Sequence, residues 1–277
     1  MASSLFHNTI SSITVSHITV AQLGSATQVG IKLERISPPL IQAKIHEDEG
    51  FIREGGPPPR NASALPASGS IEMHLEATRL IGRGGSGCIY AVTPSDIRGP
   101  AGSEAIHPPP LVIKIAQGSE DCKLLTSEAS MYEELEWVQG AIVPHCYGLF
   151  MGELEEGLIL RHTPEQCDDK MFQFYLQTRP VDREPRRIAV LVLEELGKPL
   201  GKDNFKGRDT RDEIRDMLND LARLGVIHHD LQLDNILEAP AIPPGLPRLP
   251  SPLRDRTYGW QIIDWEYATK SGDLRCD

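Results

Sequence analysis

Asp230 and Asn235 are the residues whose types and spacing could do chemistry together. They stand in Val226-Ile227-His228-His229-Asp230-Leu231-Gln232-Leu233-Asp234-Asn235-Ile236-Leu237, where two short apolar runs flank a polar centre. A carboxylate at Asp230 could accept a proton. The Asn235 amide could give an oxygen to a divalent metal, and hard Mg²⁺ favours oxygen ligands. For both to reach one cleft, the apolar runs must be short strands joined by a loop. A helix must lead into the first of them. It is legible upstream: Thr210-Arg211-Asp212-Glu213 has the form of a capping box. Ile214, Met217, Leu218, Leu221 and Leu224 then share one face, and Gly225 can end the helix.

Four further stretches carry polar groups on apolar frames. Met73 to Leu80 reads as a strand that runs into Gly82-Arg83-Gly84-Gly85-Ser86-Gly87, and Cys88 to Val92 reads as the next strand. Glycines let such a hairpin tip lie close to phosphates and offer them backbone N–H groups. Leu111-Val112-Ile113-Lys114-Ile115-Ala116 is a strand of five apolar residues around one lysine. From Cys122 to Val138, Leu124, Leu125, Met131, Tyr132, Leu135 and Val138 recur at helical spacing, and Glu128 falls on their stripe. An acid on a buried stripe needs a partner, because breaking a buried ion pair costs about 3–5 kcal/mol. Lys114 is the candidate. Val143 to Phe150 reads as a turn and strand, and Ile188 to Leu193 as a buried strand by its unbroken apolarity. Trp260-Gln261-Ile262-Ile263-Asp264-Trp265-Glu266-Tyr267-Ala268 closes the set, with Asp264 after two isoleucines.

In this order the motifs resemble the protein-kinase-like superfamily, and the likeness covers about Leu80 to Tyr267. His-x-Asp-Leu-x-x-x-Asn is similar to the kinase catalytic loop, and the strand holding Lys114 is similar to V-A-I-K. The resemblance implies an α+β, two-lobed kinase fold with an incomplete C-lobe, since the chain stops at Asp277. It implies residues 69–193 as N-lobe and 194–277 as hinge and truncated C-lobe. By the same likeness ATP would lie against Ile81, Gly82, Gly84, Gly87, Ile89, Val112, Lys114, Leu193, Glu194, Leu196 and Leu237. Leu193 would be the gatekeeper, and the backbone of Glu194 and Leu196 would meet adenine. Lys114, held by Glu128, would orient the phosphates, and Mg²⁺ would sit on Asn235 and Asp264. Asp230 would be the base, and Gln232, in the place of a lysine, could bond the γ-phosphate without neutralising it. His229, Trp265 and Glu266 depart from the family pattern. The implied activity is ATP- and Mg²⁺-dependent phosphoryl transfer, first to Ser/Thr of proteins. A nucleotide-binding pseudokinase scaffold and a small-molecule phosphotransferase are the alternatives, the latter from a likeness to aminoglycoside and choline phosphotransferases. A partner protein completing the C-lobe is a further implication.

Composition bounds the remaining classes. The 277 residues are 40% hydrophobic with a net charge of −11, which argues against non-specific binding to nucleic acid or an anionic membrane. Cys88, Cys122, Cys146, Cys167 and Cys276 lie far apart, as scattered reduced thiols of a cytoplasmic or nuclear protein would. No basic-then-apolar leader opens the chain, and no apolar run approaches the ~20 residues of a membrane span. Residues 1–68 read as an extension and linker. Partial alternation at Ile13, Val15, Ile18 and Val20, then at Val29, Ile31 and Leu33, suggests two strands there. Asn61-Ala62-Ser63 has only the form of a glycosylation sequon. Glu165 to Arg187 and the six prolines between Glu238 and Arg256 mark loops.

Overall fold

Residues that alternate between apolar and polar build most of the first half of the chain. In Ile10–Gln22 the side chains of Ile13 and Val15 are buried, while Thr14 faces the other way and is half-buried. The computed structural model describes residues 3–4, 9–22, 25–41, 69–84, 87–100, 106–155, 159–160, 186–240 and 249–271. The sequon, Gly85 and Ser86 of the glycine loop, Cys167, Cys276 and, of the two predicted loops, residues 165–185 and 241–248 lie outside these residues.

The strands run in chain order. They are β1 (Ser3–Ser4), β2 (Ile10–Gln22), β3 (Ser25–Ile36), β4 (Ile71–Gly84), β5 (Gly87–Arg98), β6 (Ile106–His107) and β7 (Leu111–Gln117). After helix α1 (Ser119–Glu134) come β8 (Cys146–Leu154), β9 (Ile159–Leu160) and β10 (Arg186–Glu194). Helices α2 (Lys202–Phe205) and α3 (Arg208–Arg223) follow, then β11 (Val226–Ile227), β12 (Ile236–Glu238), β13 (Trp260–Ile262) and β14 (Thr269–Lys270). The chain divides into two compact units.

The first unit takes the described parts of 1–37, 66–125 and 147–192. Its strands neighbour one another in the order β3-β8-β10-β7-β5-β4-β2, and β2 pairs again with β3, so seven strands close into a barrel. β9 adds antiparallel to the far end of β2. The barrel is filled by Ile13, Leu33, Met73, Leu75, Ile113, Phe150 and Val190 among others. Closure rests on a short seam in which Glu34, Arg35 and Ile36 pair with Met151, Phe150 and Leu149. Arg35 fastens it. Its Nη1 donates to the carbonyls of Ile10 at 3.1 Å and Tyr147 at 2.8 Å. Gly148, at φ 128°, leaves room for that guanidinium, since a Cβ there would meet Arg35 Cζ at 2.7 Å. We therefore expect Arg35→Met to cost about 1–3 kcal/mol, the penalty for stripping partners from buried carbonyls. Chemical denaturation gives the total. Faster amide hydrogen exchange confined to β3 and β8 would locate it at the seam.

This barrel corrects the fold expectation. A closed seven-stranded barrel dominates the described residues, and the helices there are α1, α3 and the four-residue α2. That is inconsistent with the two-lobed α+β kinase architecture. The physical reason is the β2–β3 hairpin. It pairs parallel to β4 on one side and antiparallel to β8 on the other, and so joins the two ends of the sheet.

The second unit takes the described parts of 38–65, 126–146 and 193–277. Its main helix, α3, buries Ile214, Met217, Asp220 and Leu221. The helix starts at Arg208 with Gly207 as its cap, so Thr210 lies inside the first turn. Glu213 instead receives the backbone N–H groups of Gly259 and Trp260, the latter at 3.2 Å. Gly225, at φ 73°, follows the end of the helix. β11 pairs antiparallel with β14, and β12 with β13. No helix among the described residues is long and apolar enough to cross a membrane.

Candidate functional site: a buried carboxylate cluster

Three carboxylates converge in the second unit. Glu128 comes from α1, and Asp264 and Glu266 come from the loop after β13; their ligand oxygens lie within 4.8 Å of one another. Glu128 is 1% and Glu266 7% exposed, while Asp264 is half-buried. The loop is held from several sides. The Ile263 N–H donates to the Asn235 carbonyl at 3.0 Å, and the Trp265 indole N–H donates to Ile262 O at 3.2 Å. His228 Nε2 bonds Ile263 O at 2.8 Å, and the His228 and Trp265 rings meet at a tilt of 58° with centroids 4.5 Å apart. Asp264 itself sits at φ 68°, a left-handed conformation uncommon outside glycine. Downstream, Lys270 of β14 forms a buried ion pair with Glu134 of α1. The loop is thus fixed at both ends.

A fourth polar group belongs to the same place. Tyr132, one turn after Glu128 on α1, is wholly buried, and its hydroxyl has no hydrogen-bond partner among the described residues. Burial pushes its pKa well above the ordinary tyrosine value, and the nearby Glu128 and Asp264 carboxylates push it further. The phenol therefore stays neutral and keeps its proton. Most buried polar atoms find a partner, so an orphaned hydroxyl beside carboxylates asks for an explanation.

The loop between β11 and β12 stands next to this cluster in the chain's pairing. Asn235 Nδ2 donates to the Asp230 carbonyl at 2.9 Å, and Gln232 Nε2 to the Asp230 carboxylate at 2.7 Å. Asp230 N–H donates to His228 Nδ1 at 3.3 Å. Nε2 of His228 must then carry the ring proton, and Nδ1 must accept. Burial lowers the His228 pKa from 6.5, against the opposing pull of the Ile263 carbonyl, Asp264 and Asp230. A depressed histidine is neutral when folded, so its contribution to stability is complete above pH 6.5. It is lost as the pH falls from there through the lower folded value, by at most about 1.4 kcal/mol per pH unit. We expect the urea midpoint of the wild type to drop more between pH 7 and 5.5 than that of His228→Asn. Parallel profiles would remove this role.

The other residues singled out from sequence fall as follows. In the first unit, Gly82 pairs with Ile89, Ile89 with Lys114, and Gly84 with Gly87. A Cβ at Gly87 would meet the Ile115 carbonyl at 2.1 Å, so the glycine is needed for close strand approach. Lys114 is buried, Val112 is half-buried opposite Ala91, and Ile81 is exposed. In the second unit, Leu193 is buried, and Glu194 takes His145 Nδ1 at 2.7 Å. Leu196 and Leu237 are half-buried. Asp264 and Glu128 meet in the carboxylate cluster, whereas Asn235 and Asp230 are tied to one another on the loop.

These facts correct the functional expectations. The cluster of Glu128, Asp264 and Glu266 is not the Asn235–Asp264 pair of a kinase magnesium site. With the barrel in place of the kinase architecture, nothing supports ATP and Mg²⁺ as cofactors, phosphoryl transfer, the pseudokinase or small-molecule alternatives, or a protein substrate. Sequence reasoning missed Glu266 and Tyr132. The usable signal was an acid two residues after Asp264 in an otherwise apolar run. No model of a known protein family matches the chain, and no curated protein matches it in sequence.

Proposed function

We propose that this protein binds a hard divalent cation of the size of Ca²⁺ through Glu128, Asp264 and Glu266. The observation that carries the reading is three carboxylates gathered within 4.8 Å, two of them buried, beside the orphaned hydroxyl of Tyr132. Like charges held that close repel, and a divalent cation among them offsets the repulsion. Carboxylate oxygens select hard ions over thiophilic ones. Oxygens bound to one Ca²⁺ at 2.3–2.6 Å stand up to roughly 5 Å apart, and those around Mg²⁺ closer. A separation of at most 4.8 Å falls within the span of one Ca²⁺ shell. In this reading Asp264 is a metal ligand with Glu128 and Glu266 as its companions, and the ion ties α1 to the loop after β13. Cys88, Cys122 and Cys146 form no disulfide among the described residues, which supports a reducing, cytoplasmic or nuclear setting.

Binding to the folded chain alone must stabilise it. At a free concentration one hundred times Kd, the gain is about 2.7 kcal/mol. The full chain should therefore melt higher in CaCl₂ than in EDTA, with Mg²⁺ acting more weakly, and Asp264→Asn should abolish the difference. Equal melting in EDTA and millimolar CaCl₂ would refute the assignment.

A further inference from the structure

We propose that the outer wall of the barrel carries a second site, for a small zwitterion of the α-amino acid class. Four neighbouring strands put two polar rows side by side there. Lys32, Thr14, His74 and Asp96 pair in succession across β3, β2, β4 and β5. In the adjoining row Ser12 pairs with Glu72, and Glu72 with Arg98. These residues line a pocket of about 100 Å³. At its wall His74 Nε2 is buried and has no hydrogen-bond partner among the described residues. Met73, which alternates with this row on β4, belongs to the barrel core and also lines the pocket.

The chemistry of the lining selects the ligand. Lys32 and Arg98 bring two positive charges, and Glu72 and Asp96 bring two negative ones. A simple anion would be repelled by the carboxylates about as much as it is drawn by the cations. A simple cation meets the reverse. A molecule with a carboxylate and an ammonium one carbon apart satisfies both sets, with the carboxylate on Arg98 and Lys32 and the ammonium on Glu72 and Asp96. The existing pairs do not block it. Lys32 stands 3.4 Å from Glu34 and 3.8 Å from Glu72, and Arg98 lies 2.7 Å from Asp96, all well exposed. Such pairs contribute little and can be exchanged. Size limits the ligand further. At about 30 Å³ per water the pocket has room for about three waters, and drug-sized ligands need about 300 Å³ or more. Glycine and alanine fit.

The test is a titration of the full chain, labelled with ¹⁵N-histidine, using glycine, with acetate and methylammonium as single-charge controls. The His74 ring signals should shift saturably with glycine and at least tenfold more weakly with either control. Arg98→Met and Glu72→Gln should each weaken glycine binding about tenfold with unchanged circular dichroism, since both side chains are exposed. The proposal fails if glycine gives no saturable shift or if acetate matches it. It also fails if both variants, natively folded, bind glycine as the wild type does.

Discussion

Replacing Asp220 with alanine should destabilise the second unit by about 3–5 kcal/mol. Asp220 is fully buried on α3, and its carboxylate accepts three side-chain bonds. Ser251 Oγ donates at 2.9 Å, Tyr258 Oη at 3.0 Å and Arg254 Nε at 2.6 Å. Removing the acceptor leaves a buried phenol and a partly buried guanidinium without it. Burial and the Asp220 contact already hold the Tyr258 pKa above its ordinary value, so the phenol cannot ionise in compensation. The same network brings residues 251–258 against α3, with Arg256 paired to Asp216. A urea titration should show the midpoint fall by the full amount for Asp220→Ala. Asp220→Asn should cost less, because the amide still accepts one or two of the bonds. If Asp220→Ala cost under about 1 kcal/mol, the network would be a surface feature and not a core one.

Trp265→Ala should cost a similar amount, about 3–5 kcal/mol, but with a second consequence. Trp265 is the largest fully buried side chain. It lies between two of the carboxylates in sequence, packs against His228 and bonds the Ile262 carbonyl. Its loss removes packing that sets the backbone of Asp264 and Glu266. Cation binding should weaken together with stability. Trp265→Phe, which keeps most of the volume and loses the indole N–H, should separate the two readouts by restoring most of the stability. Calorimetric unfolding and a calcium titration on the same samples give both numbers.

Local elements were legible where one physical signal dominated. The face of Ile214, Met217 and Leu221 reads as a helix because 3.6-residue periodicity survives any tertiary context. The unbroken apolarity of Ile188 to Leu193, and the five apolar residues around Lys114 in Leu111 to Ala116, read as buried strand for the same kind of reason. Barrel closure was not legible. It depends on Arg35 meeting Phe150 across more than a hundred residues, and no local pattern encodes that pairing. The alternation of Ile13, Val15 and Ile18 is broken at His17, whose φ of 62° marks the register shift within β2. Motif spacing alone therefore pointed to an architecture that the long-range pairing overrules, and a string of short motifs did not settle the fold.

The candidate site shows the same division. Glu128 was legible as an acid on a buried stripe, and it is buried. Asp264 was legible after two isoleucines. Glu266 registered only as a departure from an expected glycine, although it completes the cluster. Tyr132 registered as stripe and not as a hydroxyl in need of a partner. Burial satisfaction is a property of the folded chain, so neither could be weighed before the loop after β13 was placed against α1.

Terbium luminescence tests the central claim most directly, because Tb³⁺ takes calcium-type oxygen sites and is excited through nearby aromatic rings. Tyr132 and Trp265 supply those rings at the cluster. The account predicts saturable, sensitised emission that CaCl₂ displaces and that Glu128→Gln with Asp264→Asn removes while the circular dichroism stays native. Emission that never saturates, or that persists undiminished in that double variant, would contradict it.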